Sequence, residues 1–235
     1  MTRTEDAAIL VLNAGSSSVK FALFRAGTLE PLCRGGIEGI GSAARFGGAA
    51  GAKAHLFDGA VLPEGSRHEA ATHWLLDRLR RADHLDLRAA GHRVVHGGPD
   101  FSAPVVIDDD VMTILEGLIP LAPAHQPHNL AAIRAVAKAW PDLPQLACFD
   151  TAFHRSMPRL AQLFAIPHAL TDQGLIRYGF HGLSYQHIAD MLPDIAGDVA
   201  QGRVIVAHLG HGASLCAMRE GAASPPPWAS PPSTV

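Results

Sequence analysis

The sequence predicts an α/β fold, and three observations lead to this prediction. Apolar segments that suit strands alternate with segments whose apolar residues recur at helical spacing. Two of the predicted strands enter turns rich in glycine and serine, at 13–20 and 208–214. The chain has 235 residues, of which 48% are hydrophobic and 17% charged, so it can bury a core.

Charge and composition exclude several classes of protein. The net charge of -3 gives no indication of a basic surface for nucleic acid. The sequence also has no basic amphipathic helix of the kind that binds a membrane surface. The first apolar run is short and follows Glu5 and Asp6, so it resembles neither a signal peptide nor a membrane span. Cys33, Cys148 and Cys216 are widely spaced, which argues against disulfides or a thiolate zinc site. We therefore expect a cytoplasmic protein with small-molecule partners.

Apolar residues at 8–12 and 21–24 predict two strands around a polar turn from Asn13 to Lys20. The small residues of the turn let its backbone approach a ligand, and its N–H groups, hydroxyls and ammonium can donate to a phosphate. Because Lys20 lies between apolar segments, we expect it to be buried with an anionic partner. A phosphate cradle and a plain hairpin with a serine-rich turn both fit this segment alone.

The next residues predict a flexible excursion and then alternating helices and strands. The glycine-rich segment 35–53 predicts an excursion without chemistry. Apolar residues at helical spacing predict a surface helix over 68–82. The other predicted elements are a strand at 91–95, a helix capped by Asp109 and running to Leu118, a helix opened by Pro127 and ending before Pro141, a strand at 145–149, a helix at 183–192 and a strand at 204–208.

Three polar residues lie where chemistry is expected. Arg93 lies within an apolar strand, where its guanidinium matches a carboxylate or phosphate ligand, although an internal salt bridge also fits. Asp150 ends a strand, the usual position of catalytic or metal-orienting groups in α/β proteins, although an aspartate there also caps turns. His181 lies between glycines, which predicts that it is accessible.

The segments 11–18 and 206–214 resemble each other. Each has an apolar strand, a turn of glycine and serine, and a return strand. Such a pair predicts two cradles, one in each of two duplicated domains, that hold a polyphosphate from both sides.

Several histidines have the spacing of metal ligands. The pairs are His125 with His128, and His208 with His211. No cysteine or glutamate completes either set, so we expect these side chains to be satisfied by hydrogen bonds instead.

Six motifs in this order resemble the acetate kinase family over residues 8–220: V-L-N-A-G-S-S-S-V-K, G-H-R-V-V-H-G-G, L-A-P-A-H-Q-P-H-N, F-D-T-A-F-H, Y-G-F-H-G and H-L-G-H-G-A-S. The resemblance implies duplicated domains of the actin and sugar-kinase type, which have an RNase H-like fold. It places an N-terminal actin-like domain at 1–150, the start of an incomplete C-terminal nucleotide-binding domain at 151–220 and an aberrant proline-rich tail at 221–235. It also implies a homodimer that uses ATP and Mg²⁺ to phosphorylate acetate or propionate, giving an acyl phosphate.

The resemblance assigns roles by position. The implied catalytic residues are Asp150, His181 and Arg93, and Asn13 is the implied ligand of Mg²⁺. The implied carboxylate pocket consists of Arg93, Val95, Ala124 and Phe180. The implied ATP-binding residues are Lys20, Ser16, Ser18, His208, Leu209, Gly210, His211 and Gly212. These roles suit phosphoryl transfer, which depends on in-line positioning and on neutralisation of charge.

Two departures from the family pattern fall on predicted site residues. His211 replaces the asparagine of H-L-G-N-G, so an amide that always donates becomes an imidazole. Ala124 replaces a leucine of the acyl pocket and leaves room for a further methylene, worth about 0.8 kcal/mol if buried. We therefore expect a shift of substrate preference toward propionate.

From Gly221 the sequence has no strand or helix period, and its prolines cannot continue a central strand. With codons read one base upstream, residues 222–232 can encode Arg-Ser-Val-Ala-Ser-Thr-Met-Gly-Phe-Thr-Pro, which resembles the family's R-S-V-D-T-S-M-G-F-T-P. This indicates a frameshift near Gly221, and a natural proline-rich end is the alternative. The sequence as written lacks the family's later catalytic arginine, its adenosine-binding glycine segment and its late Mg²⁺-binding glutamate, so we expect a truncated chain with little or no turnover.

Two other functions are compatible with parts of the chain. One is a non-catalytic fragment that binds a carboxylate or phosphate without turnover. The other is a sugar kinase or chaperone ATPase of the same fold. Arg93 argues against the latter, because a pocket for sugar hydroxyls does not require a guanidinium.

Overall fold

The structure, a computed structural model, describes residues 7–82, 85–210 and 212–224. Its class is α/β, as the sequence predicts. The chain forms two compact units. The described residues up to His96, together with Pro104–Cys148, form the first unit, and Gly97–Ala103 with the described residues from Phe149 onward form the second. The domain boundary expected at residue 150 stays a prediction.

A seven-stranded sheet is the centre of the first unit, with the strand order β4-β3-β2-β1-β5-β7-β6. Its strands are β1 Ala7–Ala14, β2 Ser18–Arg25, β3 Pro31–Glu38, β4 Arg45–Ala50, β5 Asp86–Val94, β6 Val105–Val106 and β7 Gln145–Phe149. Its helices are α1 His68–Arg80, α2 Asp109–Gly117 and α3 Gln126–Ala139. Strand β1 pairs antiparallel with β2 and parallel with β5.

The core of the first unit lies between alternate residues of the sheet and the helices α1 and α3. Leu10 and Leu12 in β1 and Phe21 in β2 are buried there with Leu75 of α1 and Val136 of α3. Burial of each such side chain contributes about 1.5–3 kcal/mol. This core fixes which face of β1, β2 and β5 is left for polar side chains.

The polar turn is shorter than the sequence predicts. Strands β1 and β2 extend over Asn13 and Lys20, which are partners in the ladder, so only Gly15–Ser17 connects the strands. Lys20 is exposed, and the expectation of a buried lysine is wrong. Side chains alternate along a strand, so Lys20 points away from the core that takes Val19 and Phe21.

The segment 35–53 is not a flexible excursion, because it contains the second half of β3 and the whole of β4. Strand β3 pairs antiparallel with both β2 and β4. The hydrogen bonds of these ladders are made by the backbone, so a strand can form here without alternating apolar residues. Gly35 also faces the ring of Phe21, and a Cβ at Gly35 would lie 2.9 Å from a ring carbon. The glycine here allows close packing of strands.

Most other predicted elements are present, with shifted ends. Strand β7 has the predicted bounds, and α1 and α3 agree within two residues. Strand β5 begins at Asp86, five residues before its predicted start. The cap of α2 is Asp108 rather than Asp109, since its side chain accepts a hydrogen bond from the main-chain nitrogen of Val111 at 2.8 Å.

The second unit contains a three-stranded antiparallel sheet and helix α5. Its described strands and helices are α4 His168–Asp172, α5 Gly182–Ala196, β8 Arg203–His208, β9 Ser214–Arg219 and β10 Ala222–Ala223. Tyr185 and Ala189 of α5 pack on Cys216 and Met218 of β9. The predicted strand–turn–strand at 206–214 is therefore present as the β8–β9 hairpin.

Two features of the second unit differ from the sequence-based expectations. Helix α5 passes through Pro193 and is longer than predicted. The tail was expected to lack strands from Gly221, but Ala222 and Ala223 pair with β9 as strand β10. A strand of two residues is held by backbone hydrogen bonds to its neighbour, so it needs no pattern of apolar side chains. The proline-rich remainder from residue 225, on which the frameshift prediction depends, lies outside the described residues.

No helix within the described ranges has both the length and the apolar character that crossing a membrane requires.

Candidate functional site

The first unit brings Asn13, Lys20 and Arg93 together on three consecutive strands of the sheet, β2, β1 and β5. Asn13 and Lys20 are directly opposite each other in the β1–β2 ladder. Arg93 is half-buried near the end of β5, and its Nη1 donates to Oδ1 of Asn13 at 3.2 Å. An amide, an ammonium and a guanidinium thus lie on adjacent strands beside the polar turn.

The turn Gly15–Ser17 connects two of these strands, and His68 contacts its backbone. The main-chain nitrogen of Gly15 donates to the carbonyl oxygen of Ser18 at 2.8 Å. Nε2 of His68 lies 2.5 Å from the carbonyl oxygen of Gly15, and the His68 ring stacks on that of His128 at 4.3 Å. Ser16 is exposed and Ser18 is half-buried, so the predicted phosphate-binding hydroxyls are accessible at an anchored turn.

Asn129 connects this turn to the predicted carboxylate pocket. Its Nδ2 donates to the carbonyl oxygen of Ala14 at 2.6 Å, and its Oδ1 accepts from the main-chain nitrogen of Val95 at 2.9 Å. Asn129 is 1% exposed, and Val95 is buried immediately after β5. Ala124 is exposed just before α3. Sequence reasoning missed Asn129, whose one signal is its place at the end of the motif L-A-P-A-H-Q-P-H-N.

The second unit places His181 and His208 against each other. Their rings stack with centroids 4.1 Å apart and planes 15° apart. Nδ1 of His181 lies 2.8 Å from Oγ of Ser214, and Nδ1 of His208 lies 3.1 Å from Oγ of Ser184. Sequence reasoning missed both serines, although each is within a few residues of a predicted site residue.

His181 has a left-handed backbone, with φ 57°, immediately before α5. This conformation is uncommon for residues other than glycine, asparagine and aspartate, and it is concentrated at functional sites. It places the imidazole at the start of the helix and beside the end of β8.

The predicted phosphate turn begins where β8 ends. Leu209 and Gly210 are exposed. Gly212 is close to His181, since a Cβ at Gly212 would lie 3.5 Å from Nε2 of the imidazole. His211 lies outside the described residues. The imidazole of His181 therefore faces part of the turn to which the sequence assigned nucleotide binding.

Asp150 and Phe180 lie beside the start of α5. Asp150 is 2% exposed, and its carbonyl oxygen accepts from the main-chain nitrogen of Gly182 at 2.8 Å. A Cβ at Gly182 would lie 2.2 Å from that oxygen. The glycine after His181 thus permits close packing of the backbone.

The carbonyl oxygen of Phe180 is bound by a buried histidine. Nε2 of His154 lies 2.9 Å from it. Burial lowers the pKa of His154, against smaller opposing effects of the Phe180 hydrogen bond and the charge of Asp150. A neutral His154 donates to this carbonyl and fixes the segment before His181.

The residues that could hold Mg²⁺ are limited in the described part of the chain. No three histidine, cysteine, aspartate or glutamate side chains there converge as metal ligands would. Oδ1 of Asn13 is the kind of oxygen that Mg²⁺ prefers, and an amide oxygen has two lone pairs, of which the Arg93 bond uses one. The donor set fits an ion held mainly by water and phosphate oxygens.

The chain was compared with known proteins. The profile of the Acetokinase family matches residues 8–225. Acetate kinase from Rhodopseudomonas palustris is 52% identical over 223 residues, covering 89% of this chain and 54% of the relative. A solved propionate kinase from Francisella tularensis has a TM-score of 0.79 and 37% identity, covering 93% of this chain and 56% of that one. A solved acetate kinase from Porphyromonas gingivalis has a TM-score of 0.74 and 34% identity, covering 93% and 56%. This chain spans about half the length of the curated relatives that it matches, and by its sequence and its fold it belongs to the acetokinase family.

Proposed function

We propose that this chain is part of the machinery that transfers the γ-phosphoryl group of ATP to acetate or propionate, giving an acyl phosphate. Family membership supports the reaction class. The matched relatives are named acetate kinase, and one matched structure is named a propionate kinase, which supports a short carboxylate as the acceptor.

The observation that carries this proposal is the contact between Arg93 and Asn13 beside the Gly15–Ser17 turn. A half-buried guanidinium is suited to a carboxylate, because its planar fork matches two oxygens. The turn next to it offers N–H groups and hydroxyls to phosphate. In the proposal, Arg93 binds the carboxylate and Val95 lines the acyl pocket, while Ser16, Ser18 and the exposed ammonium of Lys20 bind phosphate.

The second unit supplies the groups that suit a transferring phosphoryl group. The proposal assigns charge stabilisation to His181 and phosphate binding to the turn from His208 to Gly212. Asp150 orients the other polar groups, since a carboxylate substrate is already ionised and needs no base. Phosphoryl transfer gains mostly from such fixed donors, because little covalent chemistry is required.

Mg²⁺, when bound with ATP, neutralises part of the phosphate charge, and Asn13 is the residue of this chain proposed to contact it. The family resemblance also predicts a homodimer, which stays a prediction.

The test uses the 235-residue polypeptide with ATP, Mg²⁺, acetate and hydroxylamine, and it measures acetyl hydroxamate. Acetate binding is followed separately by NMR. We expect Arg93→Ala to weaken acetate binding by tenfold or more, on the order of the 1.5–3 kcal/mol of a hydrogen bond to a charged group. Arg88→Ala is the matched control, because Arg88 is an exposed arginine of the same strand. Unchanged acetate binding in Arg93→Ala would contradict the assignment of the carboxylate site.

A second candidate applies to the 235 residues taken alone, because they match only 54% of the length of the Rhodopseudomonas relative. This candidate is a fragment that binds carboxylate or phosphate without turnover. Binding of acetate without hydroxamate formation supports it, whereas hydroxamate formation shows that these residues suffice for catalysis.

A further inference from the structure

Three side chains form a hydrogen-bonded series that ends at His181. The hydroxyl of Tyr185 lies 2.5 Å from Oγ of Ser214, which lies 2.8 Å from Nδ1 of His181. Tyr185 is 1% exposed and belongs to the core of the second unit. The series therefore connects a fixed phenol in the core to an imidazole beside the turn that contains Gly210 and Gly212, here called the glycine turn.

The direction of the hydrogen bonds follows from the buried phenol. Burial raises the pKa of the Tyr185 phenol, and hydrogen bonds to Ser214 and to the main chain of His208 lower it. A serine hydroxyl can rotate to act as donor or acceptor, whereas the phenol is the more acidic of the two hydroxyls and is the better donor. The proton of Tyr185 goes to Oγ of Ser214, as expected when a phenol meets the less acidic alcohol.

The consequence for the imidazole is a defined tautomer. Ser214 has a single hydroxyl proton, and with its oxygen accepting from Tyr185, that proton is directed to Nδ1 of His181. A neutral imidazole that accepts at Nδ1 carries its own proton on Nε2. Nε2 is the ring nitrogen that lies near Gly212. Aligned hydrogen bonds also polarise one another, which favours this direction throughout the series.

We propose that Ser214 and Tyr185 are positioning residues that hold neutral His181 with its proton on Nε2, so that the imidazole donates to a phosphoryl oxygen bound at the glycine turn. The phosphoryl ligand in this statement rests on the proposed function, whereas the tautomer does not. Neither residue touches the reacting group, since both act through the ring of His181.

The tautomer can be measured directly on the 235-residue polypeptide without turnover. Long-range proton–nitrogen NMR of ¹⁵N-histidine-labelled protein, at a pH where His181 is neutral, distinguishes the protonated ring nitrogen from the other one. The His181 resonances are assigned by their loss in His181→Asn. We expect the protonated signal at Nε2. A protonated Nδ1 in the unsubstituted protein would overturn the proposal, whatever the variants do.

Variants test which residues impose the tautomer. Ser214→Ala should draw the two His181 nitrogen resonances together as both tautomers become populated, and Ser214→Thr should restore their separation because it keeps the hydroxyl. Tyr185→Phe should give a smaller change in the same direction. The control is Ser42→Ala, since the Ser42 hydroxyl is exposed and bonds only locally to Gly39. Unchanged His181 resonances in Ser214→Ala would remove Ser214 from the proposal.

A final titration with ATP and Mg²⁺ tests the phosphoryl contact separately from the tautomer of His181. A change at Nε2 with Nδ1 unchanged supports donation to a phosphoryl group. If the tautomer is as expected but ATP leaves Nε2 unaffected, the phosphoryl contact is wrong while the positioning by Ser214 and Tyr185 stands.

Discussion

The side-chain amide of Asn129 donates to the carbonyl oxygen of Ala14 at 2.6 Å, although 115 positions separate the two residues. The same side chain accepts from the main chain of Val95. Ala14 ends β1 and Val95 follows β5, and these two strands are parallel neighbours. One buried amide in α3 thereby fixes the backbone at the Gly15–Ser17 turn relative to the backbone at the proposed carboxylate pocket.

Asn129→Leu keeps the volume of this side chain and removes both hydrogen bonds. A buried carbonyl and a buried N–H then lose their partner, at about 1–3 kcal/mol each, so we expect a loss of about 2–6 kcal/mol in the free energy of unfolding. Urea denaturation measures it. Gln186→Leu is the control, because Gln186 is exposed and its bond to Asp190 is local. A loss in Asn129→Leu no larger than in this control would refute the role of the amide.

Gly182→Ala should destabilise the second unit. Its new methyl carbon would lie 2.2 Å from the carbonyl oxygen of Asp150, so the start of α5 must shift. We expect a loss of about 1–3 kcal/mol, seen as a lower Tm. Gly117→Ala is the matched control in α2, where a Cβ meets nothing within 4 Å. There the reduced freedom of the unfolded chain should leave Tm unchanged or raise it slightly.

Stability should depend on pH through His92. Burial lowers the pKa of His92 to about 4. The unfolded chain therefore binds the proton first, and the free energy of unfolding should fall as the pH drops from about 6.5 to about 4. The full difference is about 3 kcal/mol for this group.

His92→Gln should make this pH dependence shallower between about pH 6.5 and pH 4, where His92 would otherwise take up a proton on unfolding. Urea denaturation at a series of pH values gives the slope. The exposed His55, replaced in His55→Gln, is the control. Equal slopes in the unsubstituted protein and His92→Gln would contradict the prediction.

Ala124→Leu should shift the preference between propionate and acetate toward acetate. The substitution is tested in a catalytically active protein that contains the sequence of this chain. Filling the space of about one methylene is worth about 0.8 kcal/mol, which is a fourfold change in the ratio of kcat/KM for propionate to that for acetate. Hydroxamate assays with both acids give the ratio. Ala50→Leu at the exposed end of β4 should leave it unchanged, and an unchanged ratio in Ala124→Leu would show that residue 124 does not set preference.

The sequence was informative where one local signal dominates. Pro127 and the apolar period after it located α3, and the apolar run at 145–149 located β7 with its observed bounds. Strands β3 and β4 could not be predicted, because their residues are small and their pairing partners are distant in sequence. Lys20 is exposed because side chains alternate between the two faces of a strand, and Lys20 belongs to β2. The sequence placed Lys20 in the turn, so this alternation could not be applied to it.

The candidate site could be predicted only in part. The motifs indicated the residues whose side chains suit phosphate or carboxylate, and the structure brings Asn13 to Arg93 and His181 to His208. Asn129, Ser214 and Tyr185 act through hydrogen bonds to other residues. Such partners depend on the folded positions of distant segments, so sequence spacing alone does not reveal them.

The left-handed backbone of His181 sets the function proposed for this residue against the stability of the fold. A side chain with a Cβ is disfavoured in this conformation by about 1–2 kcal/mol, whereas glycine adopts it freely. His181→Gly should therefore relieve strain at the very residue whose loss removes the imidazole. Selection for stability alone would discard this histidine, so its retention in a lineage is a measure of how strongly the chemistry is under selection.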